Sequence, residues 1–207
     1  MSVLQTSNHP LSLILASSSR YRSEMLSRLG LSFITESPNI DERRKVGETP
    51  KATARRLALQ KALKVLLHQP DAVVIGADQV LDLDGHALGK PGSHEAAAKQ
   101  LAQLSGRAVT FYSALAVVCA SSRQLSVVEC HALFKPITPS QIDRYLNIER
   151  PYDVAGSARA EGLGISLLDK LTSDDPTAII GLPLIQLTAM LSRAGHNPLN
   201  HHALSQP

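Results

Sequence analysis

The chain has 207 residues, 43% of them hydrophobic, and 21 basic against 18 acidic side chains give a formal net charge of +3. This length can bury one large domain or two small lobes. So mild a charge argues against a polyanion such as DNA as the partner. An aromatic content of 3% without tryptophan argues against stacking along a nucleic-acid strand. A small anionic ligand fits this composition better.

Two cysteines indicate the compartment. They lie on one predicted hairpin, in which we expect Ala120 to pair with Leu125. Cys130 then faces Leu115, about 13 Å from Cys119 along a strand that rises ~3.3 Å per residue, which is too far for a disulfide. Reduced thiols, a start unlike a signal peptide and no apolar run of membrane-spanning length predict a cytoplasmic protein without membrane contact.

The order of the predicted elements is typical of an α/β fold. We expect strands at 11–16, 31–36, 73–77, 80–83, 86–88 and 165–171, a hairpin over 109–134, and helices at 20–29, 50–68, 93–104, 138–147 and 181–194. The last helix is apolar nearly all round, which is typical of burial in a core or a dimer interface. We expect a single domain at 1–195 and a polar, disordered tail at 196–207.

The segment 73–80 contains the first candidate for chemistry. Its apolar run, without alternation, is typical of a strand buried on both faces, and it narrows to Gly76 and Ala77 before Asp78. We expect Asp78 at the carboxyl end of this strand, the edge where open α/β sheets bind ligands. The small residues leave room for something to approach the backbone. Alternatively, Asp78 only begins a turn.

The run Ser17–Arg22 follows the first strand and opens a helix. The free N–H groups at a helix start favour an anion, and the Arg22 guanidinium can grip phosphate oxygens with two hydrogen bonds. The pattern indicates a phosphate site. Alternatively, the serines only cap the helix.

Four further charged residues are candidates for the functional site. Lys61 lies on the apolar stripe of a helix and either reaches the surface or points into a cleft. Glu42 belongs to an acidic pair that could equally be a solvated turn. Lys90 lies in a Gly-Lys-Pro loop. Glu161 lies in a glycine-rich segment that closes on a ligand or merely connects two elements.

Together these motifs resemble the Maf family of nucleoside triphosphate pyrophosphatases. The resemblance extends from Leu13 to about Gly195 and rests on the motifs Ser17-x-Ser19-x-x-Arg22, Gly76-Ala77-Asp78, Gly89-Lys90-Pro91, Leu104-Ser105-Gly106, Ala155-Gly156 and Gly181-Leu182-Pro183. It implies a mixed, twisted α/β sheet with flanking helices and two lobes around a central cleft, as in inosine triphosphate pyrophosphatase. It also implies a homodimer, and a divalent-metal-dependent cleavage between the α and β phosphates of a nucleotide.

The resemblance assigns roles to the candidate residues. Asp78 matches the family's general base, and Glu42 matches an acid that helps to hold the metal, Mg²⁺ or Mn²⁺. The positions that line the family's phosphate site correspond to Ser17, Arg22, Lys61 and Lys90. This set suits a triphosphate, because carboxylates hold the metal while cations stabilise charge on the pyrophosphate leaving group.

Three positions separate the family's substrate branches, and here they are Tyr21, Gln79 and Glu161. This set is similar to the branch that hydrolyses 7-methyl-GTP to 7-methyl-GMP and pyrophosphate, which keeps modified nucleotides out of nucleic acids. Methylation at N7 makes guanine cationic, so an aromatic face and a carboxylate suit it. Three alternatives stay open: cleavage of dTTP and UTP, cleavage of other modified nucleotides, and inhibition of cell division (septum formation) by binding. The dTTP and UTP branch has Arg, Thr and Gln at the three positions, and Lys where this chain has Val154.

Overall fold

The computed structural model of the protein describes residues 11–201. Residues 1–10 and residues 202–207 of the predicted tail lie outside this range. The strands are β1 (Leu13–Ala16), β2 (Ile34–Thr35), β3 (Val73–Leu83), β4 (His86–Leu88), β5 (Ala108–Cys119), β6 (Ser122–Phe134) and β7 (Leu168–Ser173). The α-helices are α1 (Arg20–Ser27), α2 (Pro50–Leu66), α3 (His94–Leu104), α4 (Pro139–Glu149), α5 (Leu184–Arg193) and α6 (Pro198–His201). Short 3₁₀ turns are Ala155–Ser157, Leu163–Leu167 and Pro176–Ile180.

Within residues 11–201 the strands form one mixed sheet in the order β2-β1-β3-β5-β6-β7, and β4 also pairs with β3. β1 runs parallel to β2 and β3, whereas the other pairs are antiparallel. Helices cover both faces, so the mixed α/β class is confirmed. Three predicted helix starts are also confirmed, because Thr49, Ser93 and Thr138 cap α2, α3 and α4 with their side chains.

The central strand is longer than predicted. The separate strands expected at 73–77 and 80–83 are one strand, β3, and Asp78 lies in its middle, opposite Ala114 of β5. The prediction that Asp78 ends the strand is therefore wrong. The pairing of β1 with β3 nevertheless stops at Ala16 and Gly76. Because the chain leaves the sheet after β1, space opens beside Asp78 on that side.

Gly76 makes room for a helix of the protein itself. A Cβ atom at this position would lie 2.1 Å from the carbonyl oxygen of Ala58 and 2.8 Å from the backbone nitrogen of Ala62, both in α2. Any side chain would therefore push α2 off the sheet. This close approach brings Lys61, in the same turn of α2, over Asp78.

Two lobes share β3. In the first, α1 and α5 pack on one face of the sheet, and α2 packs on the other. In the second, α3 and α4 pack around Leu81 and Leu83 at the far end of β3. The predicted cleft lies between the lobes, so the two-lobe architecture is confirmed. No helix in the described range is both long and apolar enough to cross a membrane.

The β5–β6 hairpin is tighter than predicted. Cys119 pairs with Ser122, so two residues form the turn, and Cys130 faces Phe111 near the other end of β5. The predicted pairing of Ala120 with Leu125 is wrong, because the turn begins earlier than the polar residues of the loop indicated. The cysteines are thus further apart than expected, and both are free.

The carboxyl-terminal third departs from the predicted boundaries. The strand expected at 165–171 begins at Leu168, because a 3₁₀ turn occupies Leu163–Leu167. Gly164 makes this turn possible, since a Cβ atom there would lie 2.5 Å from the backbone of Arg159. Helix α5 is not buried all round, because Ile185 is 59% exposed. Ordered structure also continues past residue 195, where His196 is buried and α6 follows.

Candidate active site

A cleft of about 860 Å³ opens between the lobes. Its walls come from the end of β1, the start of α1, one face of α2, the middle of β3 and the loops on either side. All the predicted site residues but one line it: Ser17, Tyr21, Arg22, Glu42, Lys61, Asp78, Gln79 and Lys90. Glu161 lies outside the lining.

The centre of the cleft is an ion-pair triad. Asp78 is 6% exposed and Lys61 is 5% exposed, and Lys61 Nζ donates to Asp78 Oδ1 at 2.7 Å. Lys61 Nζ also lies 3.1 Å from Oε2 of Glu42, which is 58% exposed. Lys61 therefore points into the cleft rather than to the surface. The neighbouring Asp41 instead pairs with Arg43 in solvent, so only one acid of the predicted pair belongs to the site.

Burial raises the pKa of the Asp78 carboxyl above its ordinary value. The positive charges of Lys61 and Arg22 oppose this shift, and the negative charge of Glu42 adds to it. A raised pKa makes the carboxylate a better proton acceptor than an exposed aspartate. This is the environment that a general base needs.

The start of α1 forms the wall beside this triad. Ser17 is buried and its Oγ accepts from the backbone N–H of Ser19 at 3.2 Å. Ser19, the residue before α1, makes no capping hydrogen bond with its side chain. Arg22 Nε donates to Gly181 O at 3.1 Å. Helix capping therefore does not account for these groups, which face the cleft instead.

A half-buried ion pair, which the sequence reasoning missed, holds the loop that carries Glu42. Arg56 of α2 donates to both carboxylate oxygens of Glu48, each at 2.7 Å. Its Nη2 also donates to the carbonyl oxygen of Arg43 at 3.1 Å. The Arg56 hydrogen bonds lower the pKa of Glu48 to about 2. This pair ties residues 43–48 to α2, next to Lys61. No periodic pattern predicts it, because Glu48 lies outside α2.

A buried aspartate, Asp175, fixes the segment that contacts Arg22. Asp175 is buried, and its carboxylate accepts from Thr177 and from the backbone N–H groups of Ile185 and Gln186 at the start of α5. These bonds fix the segment that runs to Gly181, the carbonyl partner of Arg22. The sequence analysis did not single out Asp175.

Gln79 faces the same segment. Its Nε2 donates to Ser113 Oγ at 3.0 Å and to the carbonyl oxygens of Ala178 and Ile179 at 2.9 and 3.1 Å. The amide nitrogen thus braces the wall of the cleft. At the opposite rim, Lys90 is exposed.

Tyr21 carries two guanidinium groups around its ring. Arg20 Cζ lies 4.7 Å from the ring centroid and Arg159 Cζ lies 5.4 Å from it. Arg159 Nε donates to Glu161 Oε1 at 3.2 Å. The structure therefore links Tyr21 and Glu161, but through Arg159, a residue that the sequence reasoning did not single out.

Comparison with known proteins gives the family. The profile of the family described as Maf-like protein matches residues 12–194. The chain belongs to the Maf family. It is 53% identical over 193 residues to a Bordetella pertussis protein named 7-methyl-GTP pyrophosphatase, covering 93% of this chain and 97% of that one. A Cupriavidus pinatubonensis protein of the same name is 52% identical over 186 residues, covering 89% and 94%.

A solved structure is similar to this Maf protein in fold. The Staphylococcus aureus Ham1 protein superposes with a TM-score of 0.52, covering 88% of this chain and 98% of that one. Since the sequences are only 16% identical, the similarity concerns the fold alone. The cleft of this chain is lined by residues from all the motifs quoted above except Leu104-Ser105-Gly106.

Proposed function

We propose that the protein is a nucleoside triphosphate pyrophosphatase that converts 7-methyl-GTP to 7-methyl-GMP and pyrophosphate. The observation that carries the proposal is the buried Asp78 carboxylate, which faces a cleft with Lys61 at 2.7 Å and Arg22 on the adjacent wall. Membership of the Maf family and the names of its relatives supply the substrate class.

Each of these cleft residues has a separate role in the proposed hydrolysis. Asp78 takes a proton from the water that attacks the α-phosphorus, and the bond to the bridging oxygen breaks as pyrophosphate leaves. Lys61 and Arg22 stabilise the charge that develops on the phosphates. Lys90, on the exposed rim, binds the outer phosphates as they enter, and Ser17 and the N–H groups of α1 orient the chain of phosphates.

A divalent metal, Mg²⁺ or Mn²⁺, belongs to this proposal. Among residues 11–201 no group of three or more His, Cys, Asp or Glu side chains could hold a metal ion alone. The carboxylates of Glu42 and Asp78, both within reach of Lys61 Nζ, nevertheless fit Mg²⁺, which binds to one or two carboxylates when phosphates supply the other ligands. When bound, the metal neutralises phosphate charge.

Base selection forms the second part of the proposal. Tyr21 lines the cleft and offers an aromatic face to a cationic ring. The Glu161 carboxylate supplies the negative charge that complements methylated guanine. Gln79 braces the wall beneath them through three hydrogen bonds of its Nε2.

We propose that the protein is a homodimer and that it is located in the cytoplasm. Free Cys119 and Cys130 suit a reducing compartment. The dimer follows from membership of the Maf family, whose resemblance implies a homodimer. Light scattering coupled to size-exclusion chromatography gives the mass, and a monomer at micromolar concentration contradicts the dimer.

The experiment that tests the function is an assay of pyrophosphate release. 7-Methyl-GTP, GTP, dTTP and UTP are supplied separately with Mg²⁺, with Mn²⁺ or with excess chelator. We expect 7-methyl-GTP to give the highest kcat/KM, and only with metal. Full activity in chelator removes the metal from the proposal, and a preference for dTTP and UTP moves the protein to another branch of the family.

A further inference from the structure

The base-recognition groups of the proposed function are already in contact with a cation of the protein. Arg159 Cζ lies 5.4 Å from the centroid of the Tyr21 ring, and its Nε donates to Glu161 Oε1 at 3.2 Å. Tyr21 lines the cleft, whereas Arg159 and Glu161 do not. Arg159 therefore joins the aromatic wall of the cleft to the carboxylate outside its lining.

Arg159 has a second carboxylate partner. Its Nη1 donates to Glu149 Oε1 at 3.0 Å. The side chain of Glu149 is 11% exposed, and its Oε2 also accepts from the backbone N–H of Leu163 at 2.9 Å. If the contact with Glu161 is lost, the guanidinium keeps an ion pair with Glu149. Its movement away from Tyr21 therefore leaves no buried charge without a partner.

A guanidinium and a 7-methylguanine ring share the same recognition chemistry. Both are planar, both spread one positive charge over several nitrogens, and both favour an aromatic face and a carboxylate. Two such cations cannot contact Tyr21 and Glu161 in the same place. A neutral guanine brings no charge to Glu161, so it binds with the guanidinium in place.

We propose that Arg159 is a specificity residue that occupies the cation site of Tyr21 and Glu161 in the free protein and is displaced by the cationic base. The proposal rests on the proposed function, because it takes 7-methyl-GTP as the substrate. It adds a residue that the three family positions do not include. Arg159 therefore competes with 7-methyl-GTP and not with GTP, since only a base that carries its own positive charge replaces both contacts.

A direct role for Arg159 in reading the base predicts an effect on the other nucleotide. Arginine pairs with guanine by donating to O6 and N7. Methylation removes the N7 acceptor, so an arginine that stays on the base favours GTP over 7-methyl-GTP. The two roles are therefore distinguished by the nucleotide whose KM changes when the charge is removed: loss of a competitor lowers KM for 7-methyl-GTP, whereas loss of a base-reading arginine raises KM for GTP.

The test compares kcat and KM for 7-methyl-GTP and GTP in wild type, Arg159→Met and Arg159→Lys. We expect Arg159→Met to lower KM for 7-methyl-GTP about two- to fivefold, the strength of an exposed cation–π contact, because the guanidinium that contacts both Tyr21 and Glu161 is gone, while Arg20, 4.7 Å from the ring centroid, stays in both proteins. KM for GTP and both kcat values stay close to wild type, and Arg159→Lys, which keeps the charge, stays close to wild type throughout. An unchanged or raised KM for 7-methyl-GTP in Arg159→Met overturns the proposal.

A second variant covers the case in which Arg159→Met does not fold. Glu149→Gln removes the alternative partner of the guanidinium while its side-chain oxygen still accepts from Leu163. We expect it to raise KM for 7-methyl-GTP more than KM for GTP, because Arg159 then depends on Glu161 alone. Equal changes for both nucleotides contradict displacement.

The wild-type protein separates failure of this proposal from failure of the function. A wild type that prefers dTTP and UTP overturns the proposed function, and the Arg159 proposal with it. A wild type that prefers 7-methyl-GTP, with a KM ratio that Arg159→Met leaves unchanged, overturns the Arg159 proposal alone.

Discussion

The two ends of the cleft, to which the proposed function assigns the phosphates and the base, are built differently. The phosphate end, formed by Ser17, Arg22, Lys61 and Asp78, draws its side chains from the ends or middles of β1, α1, α2 and β3. Asp78 and Lys61 there are almost fully buried. The base end, formed by Tyr21, Arg159 and Glu161, depends on the irregular chain between α4 and β7. Its ion pairs are partly exposed.

This difference predicts how each end responds to change. A buried charge pair loses several kcal/mol when one partner is removed, because the other remains in a medium of low polarity. Partly exposed pairs contribute about 1 kcal/mol or less. Substitutions at the phosphate end should therefore change rate and stability strongly. Those at the base end should change only the choice of nucleotide.

The largest effect is expected from Asp78→Asn. Loss of a general base reduces turnover ~100-fold or more, while the cations that bind the phosphates remain. Turnover is measured by pyrophosphate release and affinity by isothermal titration with 7-methyl-GTP in the presence of metal. Turnover within about tenfold of wild type contradicts the role of Asp78.

Substitution of the two lysines of the cleft should change the stability of the protein by different amounts. Lys61→Met leaves the buried Asp78 without its partner, and we expect a loss of about 3 kcal/mol in the free energy of unfolding. Lys90→Met is the matched control, because an exposed lysine changes stability by no more than about 0.5 kcal/mol. Urea unfolding at pH 7 measures both. Equal stabilities of the two variants would falsify the buried Lys61–Asp78 pair.

The raised pKa of Asp78 predicts a pH dependence of activity. The base works only when deprotonated, so the acidic limb of the rate profile should lie above 3.8, the ordinary pKa of an aspartate, with activity falling about tenfold per pH unit below it. The profile of kcat/KM measures this limb. A limb at or below 3.8 shows that Asp78 is not the group that titrates.

The raised pKa of Asp78 also predicts how the stability of the folded protein depends on pH. As pH rises past 3.8, the unfolded chain releases the Asp78 proton first, because the folded pKa is higher. Ionisation of Asp78 therefore stabilises the unfolded state more than the folded state. The contribution of Asp78 to the free energy of unfolding falls as the pH rises above 3.8. The Tm of wild type minus that of Asp78→Asn should fall across this window. A constant difference contradicts the shift.

The smallest effects are expected at the base end. Glu161→Gln should reduce the preference for 7-methyl-GTP over GTP, because an amide carries no negative charge. Tyr21→Ala should raise KM more for the methylated substrate, by a factor that corresponds to about 0.5 to 2 kcal/mol. Both should leave kcat intact. The ratio of kcat/KM values for the two nucleotides is the readout, and an unchanged ratio in both variants shows that base recognition lies elsewhere.

The sequence was most informative where regular elements position the side chains. A buried strand and a helix start place Asp78, Ser17 and Arg22 together, and both signals depend on local spacing. The approach of α2 to Gly76 could not be predicted, although the small residue was noticed, because the neighbour that fills such a space comes from the tertiary fold. The same close approach turned Lys61 inward.

The base end was less predictable for a physical reason. Arg159 meets Tyr21 because Gly164 lets the chain fold back against the Arg159 backbone, and no periodic pattern encodes such a contact. The register of the β5–β6 hairpin was wrong for a similar reason, since a two-residue turn cannot be told from a longer one in a run of polar residues.

The most direct test of the account is a competition in one tube. Equal concentrations of 7-methyl-GTP, GTP, dTTP and UTP are incubated with wild-type protein and Mg²⁺ in ¹⁸O-labelled water, and the products are identified by mass spectrometry. We predict that 7-methyl-GMP appears first, carrying one ¹⁸O, and that unlabelled pyrophosphate accompanies it. Earlier appearance of dTMP or UMP, or release of orthophosphate in place of pyrophosphate, would contradict the account.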